Sequence, residues 1–206
     1  MSHPLVLATR NPGKLAELTR ALAPLGPLGL QLLTEADFPA APSPSETGSS
    51  YRENAALKAR EWARRTGITA LADDSGLEVA ALGGAPGIDS AVYAGPGASD
   101  ADNNRKLLDA MAGMADRRAT FRCCLALAGP DGSVRYFEGS CEGIIADQPS
   151  GGWGFGYDPL FSVPGQGVTL AGLAPEAKDA VSHRGQALAL LRKWLETILS
   201  RGGGTG

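Results

Sequence analysis

Apolar residues recur in short runs broken by glycine- and proline-rich turns, with helical repeats between the runs. Leu5 to Thr9 reads as a short strand that turns at Arg10-Asn11-Pro12-Gly13-Lys14 into a helix. Asn11 suits the N-cap, Pro12 suits the first helical position, and Leu15, Leu18, Leu22 and Leu25 follow at helical spacing until Pro24 to Gly29 closes the element. Pro39 to Ser49 reads as a loop carrying one acid, Glu46. Ser50-x-x-Glu53 predicts a capping box and a helix through Ala55, Lys58, Ala59 and Trp62 that stops at Gly67. Ile68 to Ala72 predicts a buried strand that ends at Asp73-Asp74-Ser75-Gly76, followed by a short apolar run, Leu77 to Leu82.

The second half continues the alternation. Gly83 to Gly97 holds five glycines and two prolines and reads as an ordered turn region or a lid. Ser99-x-x-Asp102 starts a third helix through Leu107, Leu108 and Met111. Ala119 to Ala128 and Ser133 to Ala146 read as strands of a hairpin joined at Gly129-Pro130-Asp131-Gly132. The glycine-dense stretch from Gly151 to Pro159 precedes a short strand at Leu160 to Val163. A last helix, capped by Ser182, carries Leu188, Leu191, Leu195 and Ile198, and Gly202 to Gly206 reads as a frayed tail beyond a domain spanning 1–201. Strands interleaved with helices plus one hairpin predict an α/β fold, a mixed sheet flanked by helices, in one unit or two lobes.

Composition narrows the function classes. A chain of 206 residues buries roughly 70% of its unfolded surface and needs no metal or disulfide staple. The formal charge of −3 argues against a broad nucleic-acid surface while leaving room for a local cationic pocket. No run approaches ~18 apolar residues, and the N-terminal residues lack a basic n-region and a cleavage signature, so a soluble cytosolic protein without membrane partners is expected. Cys123, Cys124 and Cys141 lack metal-ligand spacing and read as reduced structural thiols.

Four constellations carry candidate chemistry. Thr9-x-Asn11-x-x-Lys14 opens a helix where unpaired backbone N–H groups and a lysine suit a phosphate chain. An ordinary N-cap beside a solvated lysine is the alternative. Asp73-Asp74-Ser75-Gly76 sets two carboxylates together, which resist joint burial unless a cation such as Mg²⁺ offsets them, with Glu46 as a possible third; the alternative is a solvated turn. The loop from Trp153 to Asp158 offers the flat faces of Phe155 and Tyr157 beside glycines such as Gly156, suited either to a nucleobase or to plugging the core. Lys178 goes with Ser182-His183-Arg184-Gly185-Gln186, where His183 and Arg184 fall in the first turn of the last helix and oppose its dipole unless an anion or electron-rich base faces them; a solvated polar turn is the plainer reading. Together these are the parts of a nucleoside triphosphate site.

Seven segments also resemble one known family, the noncanonical purine nucleoside triphosphate pyrophosphatases (inosine/xanthosine triphosphatases). They are Val6-Leu-Ala-Thr-Arg-Asn-Pro-Gly-Lys14, Glu46-Thr-Gly, Glu53-Asn-Ala-x-x-Lys58-Ala, Ala72-Asp-Asp-Ser-Gly-Leu77, Leu82-Gly-Gly-Ala-Pro-Gly-Ile88, Gly154-Phe-Gly-Tyr-Asp-Pro159 and Ser182-His-Arg-Gly-Gln-Ala187, in the family's order and across nearly the whole chain. The resemblance implies hydrolysis of ITP, dITP and XTP to the monophosphate and pyrophosphate with Mg²⁺, cleansing the nucleotide pool. It also implies a homodimer whose subunit has two lobes around a central nucleotide-binding cleft.

Carried over residue by residue, Thr9, Asn11, Lys14 and Lys58 match triphosphate contacts, and Glu46, Asp73 and Asp74 match the metal-site acids. Asp74 matches the proton acceptor and Ser75 a substrate contact. Phe155, Gly156, Tyr157, Asp158, Lys178, His183 and Arg184 match the base pocket. Arg10 stands where many members have glycine, and either adds a phosphate contact or points to solvent. The residues agree with the implied mechanism: cations neutralise the triphosphate while a carboxylate deprotonates water for in-line attack. Two rivals are a house-cleaning pyrophosphatase for other modified nucleotides and a noncatalytic nucleotide sensor.

Overall fold

The computed structural model describes residues 2–39, 44 and 46–202. It opens with β1 (His3–Leu7), α1 (Pro12–Leu22) and β2 (Leu30–Thr34). Then come α2 (Tyr51–Thr66), β3 (Ala70–Val79), α3 (Asp100–Ala110), β4 (Arg118–Ala128) and β5 (Val134–Ile145). It closes with β6 (Phe161–Ser162), α4 (Pro175–Val181) and α5 (His183–Gly202). Among the described residues the strands form one mixed sheet in the order β2-β1-β3-β4-β5-β6. β1 runs parallel to both β2 and β3, and β6 runs antiparallel to β5. The five residues between β4 and β5 are too few for a crossover, so these neighbours form the predicted hairpin. The α/β fold class is as the sequence predicts.

Helix boundaries follow local chemistry. The Asn11 side chain accepts the Lys14 N–H, with Pro12 in the first turn, and α1 tightens into a 3₁₀ segment, Ala23–Leu28. Ser50 caps α2 by accepting the Glu53 N–H, and Gly67 ends it with a left-handed φ of 67°. The Glu53 carboxylate bonds the backbone and hydroxyl of Ser49, one residue before the position that the capping-box pattern predicts. At α3 the reciprocal Ser99–Asp102 box is complete.

The main correction concerns β3. It does not stop at Ala72 but runs through Asp73, Asp74, Ser75 and Gly76 to Val79, so the acidic pair lies inside a strand rather than in a turn beyond one. β2 and α4 are absent from the sequence reading, and Gly87–Val92 is a short 3₁₀ helix within the glycine-rich stretch. Residues 40–43 and 45 of the expected Pro39 to Ser49 loop, and most of the expected tail, lie outside the described residues.

The chain divides into two compact units. The first comprises Met1–Asp74, Cys124–Glu138 and Ala187–Gly206; the second comprises Ser75–Cys123 and Gly139–Gln186. In the first, small residues let α2 lie close on the sheet: Ala55, Ala56, Ala59 and Ala63 meet Ala70, Ala72, Ala126 and Ala128, with Trp62 filling the remainder. The second packs Leu77, Leu107, Met111, Phe121, Phe161 and Leu170 into its own core, with the Phe121 and Phe161 rings 4.6 Å apart. Cys123, Cys124 and Cys141 are buried thiols. No helix among the described residues is long and apolar enough to cross a membrane.

Candidate active site

In the first unit the candidate residues gather where β3 passes α1 and α2. Successive side chains of a strand point to opposite faces. Ala70 and Ala72 face α2, and so does Asp74, whose Oδ1 lies 2.9 Å from Lys58 Nζ. Asp73 faces the other way and pairs with Lys14 of α1 at 2.5 Å, its carboxylate fully buried. The two like charges are thus held apart by the pleat, each with its own lysine. Lys58 is a junction: its ammonium group also donates to Glu46 Oε1 and to the Asp73 carbonyl, both at 2.8 Å.

In the ion pairs of this cluster Asp73 meets Lys14, while Asp74 and Glu46 share Lys58. Burial alone would lower the Lys58 pKa, but Asp74 and Glu46 outweigh it and hold the lysine above its ordinary value. Burial wins at Asp74, whose pKa is raised despite the opposing pull of Lys58 and Lys14. Among the described residues no three His, Cys, Asp or Glu side chains converge as a preformed metal site, since lysines hold the carboxylates. The hard oxygen donors of these carboxylates still fit a divalent cation that keeps water and phosphate oxygens as its other ligands.

Thr9 and Asn11 shape the turn before α1. The Thr9 hydroxyl accepts the Asn11 N–H at 3.2 Å, and Asn11 Oδ1 accepts the Lys14 N–H at 2.9 Å. Arg10 pairs with Glu35 at 2.6 Å, its side chain 55% exposed. Asn54, which the sequence places in a resembling segment but gives no role, is buried one turn before Lys58, accepts the Gly48 N–H at 2.8 Å and points its amide nitrogen at Asp74, 3.4 Å away. Its spacing of four from Lys58 was the available signal.

The second unit assembles the remaining candidates. Asp158 Oδ2 accepts both the Phe155 N–H, at 2.9 Å, and Lys178 Nζ, at 2.5 Å. The Phe155 ring is half-buried and carries two cations over it, Lys178 at 4.9 Å and Arg184 at 5.3 Å. Arg184, 2% exposed, also donates to Ser75 Oγ at 2.9 Å. His183 stacks on Phe121 with ring centres 4.5 Å apart and planes 7° from parallel, a partner the sequence did not reveal. Tyr157 lies in the core, 4% exposed, its hydroxyl donating to the Ser90 carbonyl. Of the two aromatic faces expected in this loop, the accessible one is Phe155.

Lys178 in α4 and the cations expected at the start of α5, His183 and Arg184, are therefore not in a solvated turn. Burial of Lys178, His183 and Arg184 to within 3% exposure demands partners, and the carboxylate, hydroxyl and aromatic rings supply them. The α/β protein thus gathers buried cations around carboxylates in one cluster and around an aromatic face in another. Residues 5–194 match the Ham1 family, and the chain belongs to it.

Individual relatives agree. The chain is 51% identical over 193 residues to a dITP/XTP pyrophosphatase of Geobacter sulfurreducens, covering 93% of this chain and 96% of the relative. It is 52% identical over 189 residues to the Thermus thermophilus protein of the same name, covering 91% and 89%. Among solved structures, a HAM1 protein from Coxiella burnetii superposes with a TM-score of 0.85 at 44% identity, over 95% of this chain and 99% of the other.

Proposed function

We propose that this protein hydrolyses noncanonical purine nucleoside triphosphates, ITP, dITP and XTP, to the monophosphate and pyrophosphate. The observation that carries the reading is the Lys58 junction with Asp74 and Glu46, a cation poised among carboxylates. The names of the relatives support the substrate class.

In this reading the first turn of α1, with Thr9, Asn11 and Lys14, takes the phosphate chain, joined by Lys58. Arg10 stands beside that turn as a further phosphate contact. Glu46 and Asp74, which share Lys58, would hold Mg²⁺, which when bound neutralises phosphate charge and polarises the phosphoryl oxygens, while Asp73, on the other face of β3, would hold Lys14 in place. Asp74 accepts the proton of the attacking water. Lys14 and Lys58 stabilise the charge that develops on the departing pyrophosphate.

Base selection falls to the second cluster. Phe155 supplies a flat face beside Gly156, Asp158 orients Lys178, and Lys178 with Arg184 and His183 presents donors to the 6-oxo group. Ser75 stands next to Asp74 in the chain and fixes Arg184. Tyr157 contributes from the core, anchoring the loop. An adenine offers an amino group where the site needs an acceptor, leaving a buried donor unpaired.

A panel of nucleoside triphosphates with Mg²⁺, scoring pyrophosphate against orthophosphate, tests the reading. ITP, dITP and XTP should exceed ATP and GTP in kcat/KM by at least ~100-fold, with pyrophosphate as product. Comparable ATP turnover, or release of orthophosphate, overturns it. The reading also places the protein in the cytoplasm as a homodimer. Exposed Ile88 and Val92, at 42% and 46%, give the second unit an apolar surface suited to a partner copy. Sedimentation as a monomer at micromolar concentration would count against the dimer.

A further inference from the structure

Helix α3 holds none of the candidate site residues, yet it grips the loop that does. The Ser99–Asp102 capping box fixes the first turn of α3, and in that turn Asp100 accepts the Gly156 N–H through Oδ2 at 2.7 Å. One helical turn later, Asn104 donates from Nδ2 to the Gly156 carbonyl at 2.9 Å. Residues four apart share a helix face, so the two side chains reach the two polar groups of a single residue. Gly156 itself has φ +60°, a conformation that other residues rarely adopt, so its shape depends on being glycine and on what holds it.

Gly156 separates Phe155 from Tyr157 and Asp158. Phe155 presents its ring to Lys178 and Arg184, and Asp158 bonds Lys178. A rotation of the Gly156 backbone therefore moves the ring and the carboxylate together. Asn104 shows a second sign of function. It is 8% exposed, and its Oδ1 finds no hydrogen-bond partner among the described residues. A buried amide kept half-satisfied is costly, and such sites persist where the satisfied half performs a task.

We propose that Asp100 and Asn104 are positioning residues, clamping Gly156 at both its N–H and its carbonyl so that Phe155 and Asp158 stay aligned with Lys178 and Arg184. The inference rests on the reading of that cluster as the base pocket. The clamp touches neither phosphate nor the proton acceptor, so its loss should act on binding of the base and spare the chemical step.

The test uses the full chain and ITP with Mg²⁺. Asp100 is exposed, so Asp100→Ala should fold. It should speed hydrogen exchange of the Gly156 amide about tenfold. The KM for ITP should rise about tenfold while kcat stays within about twofold. Asp100→Asn keeps an acceptor and should restore both. Asn104→Leu keeps a similar branched shape, removes the unsatisfied oxygen along with the donor, and should raise KM while kcat stays within about twofold. Faster exchange with an unchanged KM overturns the positioning role, and unchanged exchange overturns the clamp. A Tm loss with falling kcat that Asp100→Asn fails to rescue marks a merely structural contact and also overturns it. Lys178→Ala separates the two readings. If it leaves the KM for ITP and the preference over ATP intact, the base pocket itself is wrong; if it shifts them while Asp100→Ala does not, the pocket stands and the clamp falls.

Discussion

Lys58 lies 2.9 Å from Asp74, yet Asp74 holds its proton more tightly than an ordinary aspartate. An ion pair in water would do the opposite. Burial removes more hydration from the carboxylate than the shared lysine returns, because Lys58 divides its charge among Asp74, Glu46 and the Asp73 carbonyl. The result is a carboxylate that binds its proton more tightly than usual beside a fixed cation.

Asp74→Asn keeps the shape and removes the proton acceptor. If Asp74 activates water, kcat for ITP should fall by ~100-fold or more while nucleotide binding persists through Lys14, Lys58 and the Phe155 cluster. Steady-state kinetics at saturating Mg²⁺ check this. Asp73→Asn serves as the control, since Asp73 faces Lys14 on the opposite side of β3; there a raised KM, from a lysine no longer held for phosphate, should dominate over loss of kcat. A near wild-type kcat in Asp74→Asn removes this residue from the mechanism.

The pH profile offers a test of sign. A base must be ionised, so kcat/KM falls as pH drops through its pKa. Burial raises the Asp74 pKa and Lys58 lowers it, so Lys58→Met removes a lowering influence. The acid limb of kcat/KM, measured at fixed Mg²⁺, should move to higher pH in the variant, alongside a general loss of phosphate affinity. A limb that stays in place or moves to lower pH would show that another group controls it.

The three cysteines should be silent in the native protein. Burial, with Glu138 second, pushes the Cys124 thiol up to about 12, and burial followed by Glu142 raises Cys141. Cys123 is also buried. The thiolate is the reactive form, so a thiol-specific reagent at neutral pH should modify none of them until denaturant is added. Rapid labelling of one cysteine in native buffer would reveal an opening of β4 or β5.

Most of the fold was legible because its signals are local. Asn11-Pro12, Ser50 and the Ser99–Asp102 box act within one turn of their helices, and their structures follow the pattern closely. The continuation of β3 was not legible. Asp, Ser and Gly disfavour strands, and only pairing within the sheet and the lysines from α1 and α2 hold Asp73 and Asp74 extended. β2, a five-residue run at the sheet edge, is similarly supported by its neighbour β1. In the site, residue types were readable but partners were not: Asn54, Asp100, Asn104 and Phe121 act through contacts distant in sequence.

Gly154→Ala tests how tightly the Phe155 loop is built. Gly154 has φ +77°, and a Cβ there would lie 2.2 Å from Asp158 Oδ2, the oxygen that binds both the Phe155 N–H and Lys178. The added methyl therefore meets backbone strain and a carboxylate that cannot retreat without releasing a buried lysine. Strain at a positive φ alone destabilises by ~1 kcal/mol or more, and overpacking adds to it. Denaturant unfolding should show a lower midpoint, and the KM for ITP should rise more than kcat falls, because the displaced Asp158 no longer orients Lys178 while Asp74 and Lys58 are untouched. Gly152→Ala is the matched control: a Cβ at that position meets nothing within 4 Å, so stability and KM should stay near wild type. Equal effects from the two substitutions would mean that the loop as a whole, rather than the Asp158 contact, sets affinity.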